Sequence, residues 1–176
     1  MAAVFLYVGA EVTIGSLLIN FLRQGSVLGL TASDASYLVV VYWGLAMFGR
    51  FVGAVIVQRV PADQVLKASA AMTMALIVAA LATKGAVSAA LLVAVGFFNS
   101  VQFPLIFSLT LRNMQTSAPR ISALLCTSIV GGAVIPMIAA IMADHVNLKS
   151  AFAVCLISYR HCVYFAVTCR KSVLQS

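Results

Sequence analysis

Residues 2–22 read AAVFLYVGAEVTIGSLLINFL, an apolar run in which Glu11 is the one charged side chain. At about 1.5 Å of rise per residue, a helix of this length is about as long as the hydrocarbon core of a bilayer is thick. Eleven of its side chains are large aliphatics or Phe. At roughly −0.3 to −0.6 kcal/mol each they sum to about −3 to −7 kcal/mol. A charged residue at the helix centre costs about 2.5–3.5 kcal/mol. The run therefore inserts with its carboxylate, and in lipid it must be a helix, because only a helix or a closed barrel satisfies its own backbone hydrogen bonds.

Working outward, five further runs have the same character: residues 36–57, 65–83, 87–111, 121–142 and 150–168. The composition agrees, with 63% hydrophobic and only 9% charged residues. Soluble domains carry roughly 25% charged residues, so too few are present here to build a water-facing surface. The expected fold class is an all-α integral membrane protein, a single six-helix domain over residues 1–176. The formal net charge of +7 does not point to nucleic acid, because the basic residues stand singly between apolar runs. They set orientation instead. Arg59, Lys67, Arg112, Arg120, Arg170 and Lys171 fall on the side of the N-terminus, against Arg23, Lys84 and Lys149 on the other. Both termini are thus expected in the cytoplasm, in a bacterial inner membrane. The first run has no basic start and no small-residue cleavage site, so it is not expected to be a cleaved signal. Cys126, Cys155, Cys162 and Cys169 lie in apolar runs without metal spacing, so neither a metal site nor a disulfide framework is expected. No cofactor is expected. No paired nucleophile and base is evident in the spans either, so the chain is not expected to be an enzyme.

The polar residues inside the spans carry the functional signal. Glu11 is expected to face the bundle interior or a wet cavity, with Gly15 and Leu18 on its helical face. An intramembrane carboxylate reads first as a proton-titrating or substrate-binding group. The alternative is a pairing with Arg50, near one end of the second run, where Gly49 and Gly53 form a small-xxx-small contact face. Arg50 itself reads as a gate or loop anchor, snorkelling toward the surface. In the fourth run, Asn99 and Gln102 share a face, and Pro104 removes a backbone donor near Ser100. Amides and freed carbonyls suit the hydroxyls of a neutral polar solute, and the clustering of these residues at one depth favours that reading over interhelical hydrogen bonding. Gly131, Gly132 and Pro136 in the fifth run read as close packing and a kink. Tyr7, Tyr42, Trp43 and Phe98 offer ring faces to a sugar but read more simply as packing or interface residues. The sixth run holds Arg160 and His161 with only seven large aliphatic or Phe residues, so its insertion is marginal unless Arg160 snorkels or is paired. Cys155, Cys162 and Cys169 lie on one face there, as small packing residues.

Four stretches, in order along the chain, are FLYVGAEVTIGSLLINFL (5–22), YWGLAMFGRFVG (42–53), FFNSVQFPLIFSLTL (97–111) and SALLCTSIVGGAVIP (122–136). With them the sequence resembles the C-terminal half of the fucose permease and glucose/galactose transporter family, sugar–proton symporters of the major facilitator superfamily. The resemblance implies one half of a twelve-helix transporter, built of two inverted three-helix repeats, with substrate near the midplane between halves. It implies a hexose or deoxyhexose and protons as transported partners, with Glu11, Asn99 and Gln102 lining the cavity. It also implies a need for an N-terminal six-helix half or a second copy. The alternative is a truncated or remnant fragment that transports nothing on its own.

Overall fold

The computed structural model describes residues 1–113 and 118–174, with side chains described over 1–112 and 119–169. The side chains of Arg170 and Lys171, counted above for orientation, lie outside the described residues. Eight helical segments follow one another: α1 (Ala2–Arg23), α2 (Ala32–Ile56), α3 (Ala62–Ala82), α4 (Gly85–Asn99), α5 (Gln102–Asn113), α6 (Ala118–Ser128), α7 (Gly131–His145) and α8 (Leu148–Leu174). They make six spans long and apolar enough to cross a membrane, because α4 with α5 and α6 with α7 are each one span with a break. The chain is a multi-pass membrane protein.

Local chemistry explains where the helices start. Hydrophobicity places the second span at residue 36, yet α2 begins at Ala32. Thr31 caps it: its hydroxyl accepts from the Asp34 amide at 3.2 Å and donates to the Asp34 carboxylate at 2.8 Å. Polar residues at a helix start are invisible to a hydrophobicity count but define the cap. Thr31→Ala should cost about 1 kcal/mol, read as a small fall in the thermal midpoint of the purified protein. On the same side of the bundle the connections are tied together. Gly29 and Gly85 adopt positive φ of 61° and 65°, which glycine tolerates without strain. The Gly85 amide donates to the Ser26 carbonyl at 3.1 Å. Lys149, at the start of α8, caps α3 by donating to the Leu81 carbonyl at 3.0 Å.

Glycines set the closest helix contacts. The Gly49 and Gly53 face of α2 lies against the end of α4: a Cβ at Gly49 would run into the Phe97 carbonyl and Ser100, and one at Gly53 into Val101. Gly96 faces the Tyr42 carbonyl from the other side of the same contact. Gly131 lies against the Phe5 carbonyl, and Gly132 packs on Val8 and Val12, so this pair seats α7 on α1. The second break, at residues 129–130, runs as a tight turn, with Val130 N–H donating to Thr127 O and Gly132 N–H to Ile129 O at 3.2 and 2.8 Å. These i to i+3 bonds carry the backbone through the interruption ahead of Pro136.

The spans pack with an internal symmetry. Span one packs on span five through α7 and on span six through α8; span four packs through α4 on α2 and α3; spans three and six pack on each other. Exchanging spans one, two and three for four, five and six maps the contact one–five onto four–two, and one–six onto four–three. The contact three–six maps onto itself. One contact lacks its counterpart: α7 packs on α8, whereas α2 and α3, joined by a short link, barely touch.

Candidate functional site

The break in span four is the organising feature. A helix end leaves its last carbonyls without intrahelical partners, and here that end is buried inside the bundle. Three side chains supply the missing donors. The Ser100 hydroxyl donates to Phe97 O at 2.7 Å, the Gln102 amide to Phe98 O at 3.3 Å, and the Tyr7 hydroxyl to Asn99 O at 2.6 Å. The first regular bond beyond the break runs from Leu105 N–H to Val101 O, and Pro104 sits where its missing N–H costs nothing.

Around the break lies a polar core. The Asn99 carboxamide oxygen accepts from the Tyr159 hydroxyl at 2.7 Å and from Gln102 at 3.4 Å, while its nitrogen donates to the Tyr42 hydroxyl at 3.4 Å. Gln102 also donates to the Thr73 hydroxyl at 3.1 Å. One network thus joins α1, α2, α3, α4, α5 and α8. Asn99 and Gln102, both expected at a cavity, are 1% and 0% exposed; every partner named for them is a group of the bundle itself. Among the described residues the Gln102 carboxamide oxygen is the one buried side-chain polar atom without a partner. Tyr7 and Tyr42 are buried too. They contribute hydroxyls to this core, not ring faces to a solute. Tyr159 and Thr73 are members that sequence reasoning missed; a hydroxyl at mid-span was their only signal.

Glu11 is placed differently. It is half-buried, on α1, one turn beyond Tyr7 and one turn before Gly15. The Trp43 indole fills the space over Gly15, where a Cβ would stand 3.1 Å from its ring. Trp43 stacks edge-on against Tyr42, with centroids 5.2 Å apart, and remains 46% exposed. The alternative pairing with Arg50 is not made: among the described residues no ion pair joins Glu11 to Arg50, although Arg50 is close enough to act on the carboxylate electrostatically and the Tyr7 hydroxyl is within its reach. Arg50 is exposed and lines a cavity of about 470 Å³ with Gly53, Pro104 and Ser108. Glu11, Trp43, Arg50 and Ser108 therefore mark an open, partly polar face of the bundle, backed by the sealed polar core. A carboxylate beside an exposed indole can accept hydroxyl donors while the ring packs on an apolar sugar face.

In α8 the three cysteines Cys155, Cys162 and Cys169 are buried on one face, the packing role expected of them. Arg160 is exposed. It lines a shallow cleft of about 320 Å³ with Leu6, His161 and Tyr164, on the outside of the bundle.

Comparison with known proteins places these features. The chain is 37% identical over 169 residues to a glucose/galactose transporter of Brucella abortus, covering 96% of the chain and 41% of that protein. It is 30% identical over 142 residues to the L-fucose-proton symporter of Escherichia coli, covering 81% of the chain and 32% of that protein. The crystal structure of the major facilitator superfamily transporter FucP in the outward conformation superposes with a TM-score of 0.89 at 27% identity, over 96% of the chain and 41% of FucP. No protein-family model matches the chain. The chain spans about two fifths of the length of the glucose/galactose transporter it matches.

Proposed function

Because the chain has the fold of one half of a major facilitator superfamily transporter and is homologous to the C-terminal half of sugar transporters, we propose that it forms one wall of a monosaccharide–proton symport pathway. The observation that carries this reading is the placement of Glu11. It is the one carboxylate near the middle of a span, the aspartates standing at span ends, and it is half-buried beside an exposed indole, on the face where Arg50 and Ser108 also open. Glu11 serves as the coupling or sugar-binding group, and Trp43 packs on the sugar ring. Asn99 and Gln102 act behind them, holding the break in span four in register, with the free carboxamide oxygen of Gln102 as a reserve acceptor. Both termini lie in the cytoplasm of a bacterial inner membrane, following the excess of Lys and Arg on that side. Half a binding site on an open face calls for a second wall, and an N-terminal six-helix half supplies it.

The experiment is hexose uptake into membrane vesicles under an imposed proton gradient, with the chain alone and with an N-terminal half co-expressed. Accumulation with both halves, absent with either one, is the expected result. Accumulation by the chain alone would remove the need for a partner. No accumulation with both halves present and folded would leave the chain a fragment without transport.

A further inference from the structure

The missing contact between α2 and α3 leaves a cleft. It measures about 370 Å³ and is lined almost wholly by apolar groups, among them Val52 and Ile56 of α2, Val65, Ala68 and Met72 of α3, and Phe98 of α4 as its floor. Val101 and Gly53, in contact with each other, line both this cleft and the cavity that holds Arg50 and Ser108. The two hollows thus lie on opposite sides of one α2–α4 contact. Ile56 and Met72, which line the cleft, are exposed apolar side chains, so the cleft opens toward hydrocarbon.

One end of the cleft is polar. Val60, in the link between α2 and α3, and Gln64, in the first turn of α3, close it there. Arg59 adjoins Val60, and Lys67 lies almost one helical turn beyond Gln64; both are exposed. Asp63 is the one acid nearby and offsets part of this charge. An apolar slot ending in two cations at the membrane surface has the shape and polarity of a phospholipid, chain first. We infer that the α2–α3 cleft holds an acyl chain of an anionic phospholipid from the adjacent leaflet, with its phosphate received by Arg59 and Lys67. The lipid then supplies the packing that α8 supplies to α7 in the other repeat. This holds for either orientation in the membrane and does not rest on the transport reading.

The test is to reconstitute the full chain in vesicles of mixed phosphatidylglycerol and phosphatidylcholine, repurify it, and quantify the lipid retained per chain by mass spectrometry. Retained lipid should be enriched in phosphatidylglycerol. Arg59→Gln and Lys67→Gln, both at exposed positions that leave folding intact, should each lower that enrichment roughly fivefold. Ala68→Phe, which fills the slot, should strip both lipids from a chain that still elutes as a folded species. Enrichment unchanged in the two charge variants would overturn the headgroup assignment. Lipid retained in full by folded Ala68→Phe would overturn the cleft as its seat. Loss of the retained lipid on co-expressing an N-terminal half would also overturn it, showing that protein fills the slot.

Discussion

Glu11→Gln is expected to collapse proton-driven sugar accumulation, in the two-half assay, by about tenfold or more, the factor that roughly 1.4 kcal/mol of lost coupling carries. The substitution is nearly isosteric, so α1 keeps its packing against α7 and α8. What disappears is the group that exchanges a proton. Two measurements separate its possible jobs. If Glu11 couples, sugar counterflow without a gradient persists while accumulation is lost. If it binds the sugar directly, both fall together. Accumulation equal to that of the unaltered chain would remove Glu11 from the pathway, and with it the observation on which the functional reading stands.

Asn99→Leu should cost about 2 kcal/mol of stability. The leucine has similar volume, so little packing is lost. Three polar groups lose a partner instead: the Tyr159 hydroxyl at 2.7 Å, and Tyr42 and Gln102 at 3.4 Å. Hydrogen bonds between membrane helices average only about 0.6 kcal/mol and reach about 1.7 kcal/mol, which is why several must fail at once to give a large effect. The Tyr7 bond goes to the Asn99 backbone and survives. Unfolding of the purified protein in mixed micelles measures the loss. Tyr159→Phe, which removes one partner, should show roughly half of it or less. Asn20→Leu, at an exposed position of α1, should show none. Equal losses at Asn99 and Asn20 would mean that the polar core contributes nothing particular.

The six spans were legible in the sequence because lipid imposes one solution on any long apolar run. The grouping of polar residues around Asn99 and Gln102 was legible for the same reason: hydrocarbon makes each one conspicuous. Their orientation was not. Whether a mid-span amide points to a cavity or to another helix depends on side chains far away along the chain. Here the deciding partners are Tyr7, 92 residues before Asn99, and Tyr159, 60 residues after it. Tyr159 offers only a hydroxyl, beside Arg160 and His161, which line the outer cleft and not the core. The helical start at Ala32 was hidden because its signal is a cap and not hydrophobicity. The gap between α2 and α3 had no sequence signal at all, since a short link between two spans implies contact.

The break in span four also constrains how the chain is made. As residues 85–112 leave the insertion machinery, the carbonyls of Phe97 and Phe98 find donors within their own segment, in Ser100 and Gln102. The Asn99 carbonyl does not; its donor is Tyr7 on α1, a helix synthesised before span four. Tyr7 is therefore already waiting in the bilayer when span four arrives, and docking on α1 closes the last open valence of the break. The order of synthesis matches the order of need: the segment that cannot rest alone in lipid enters after the one that completes it.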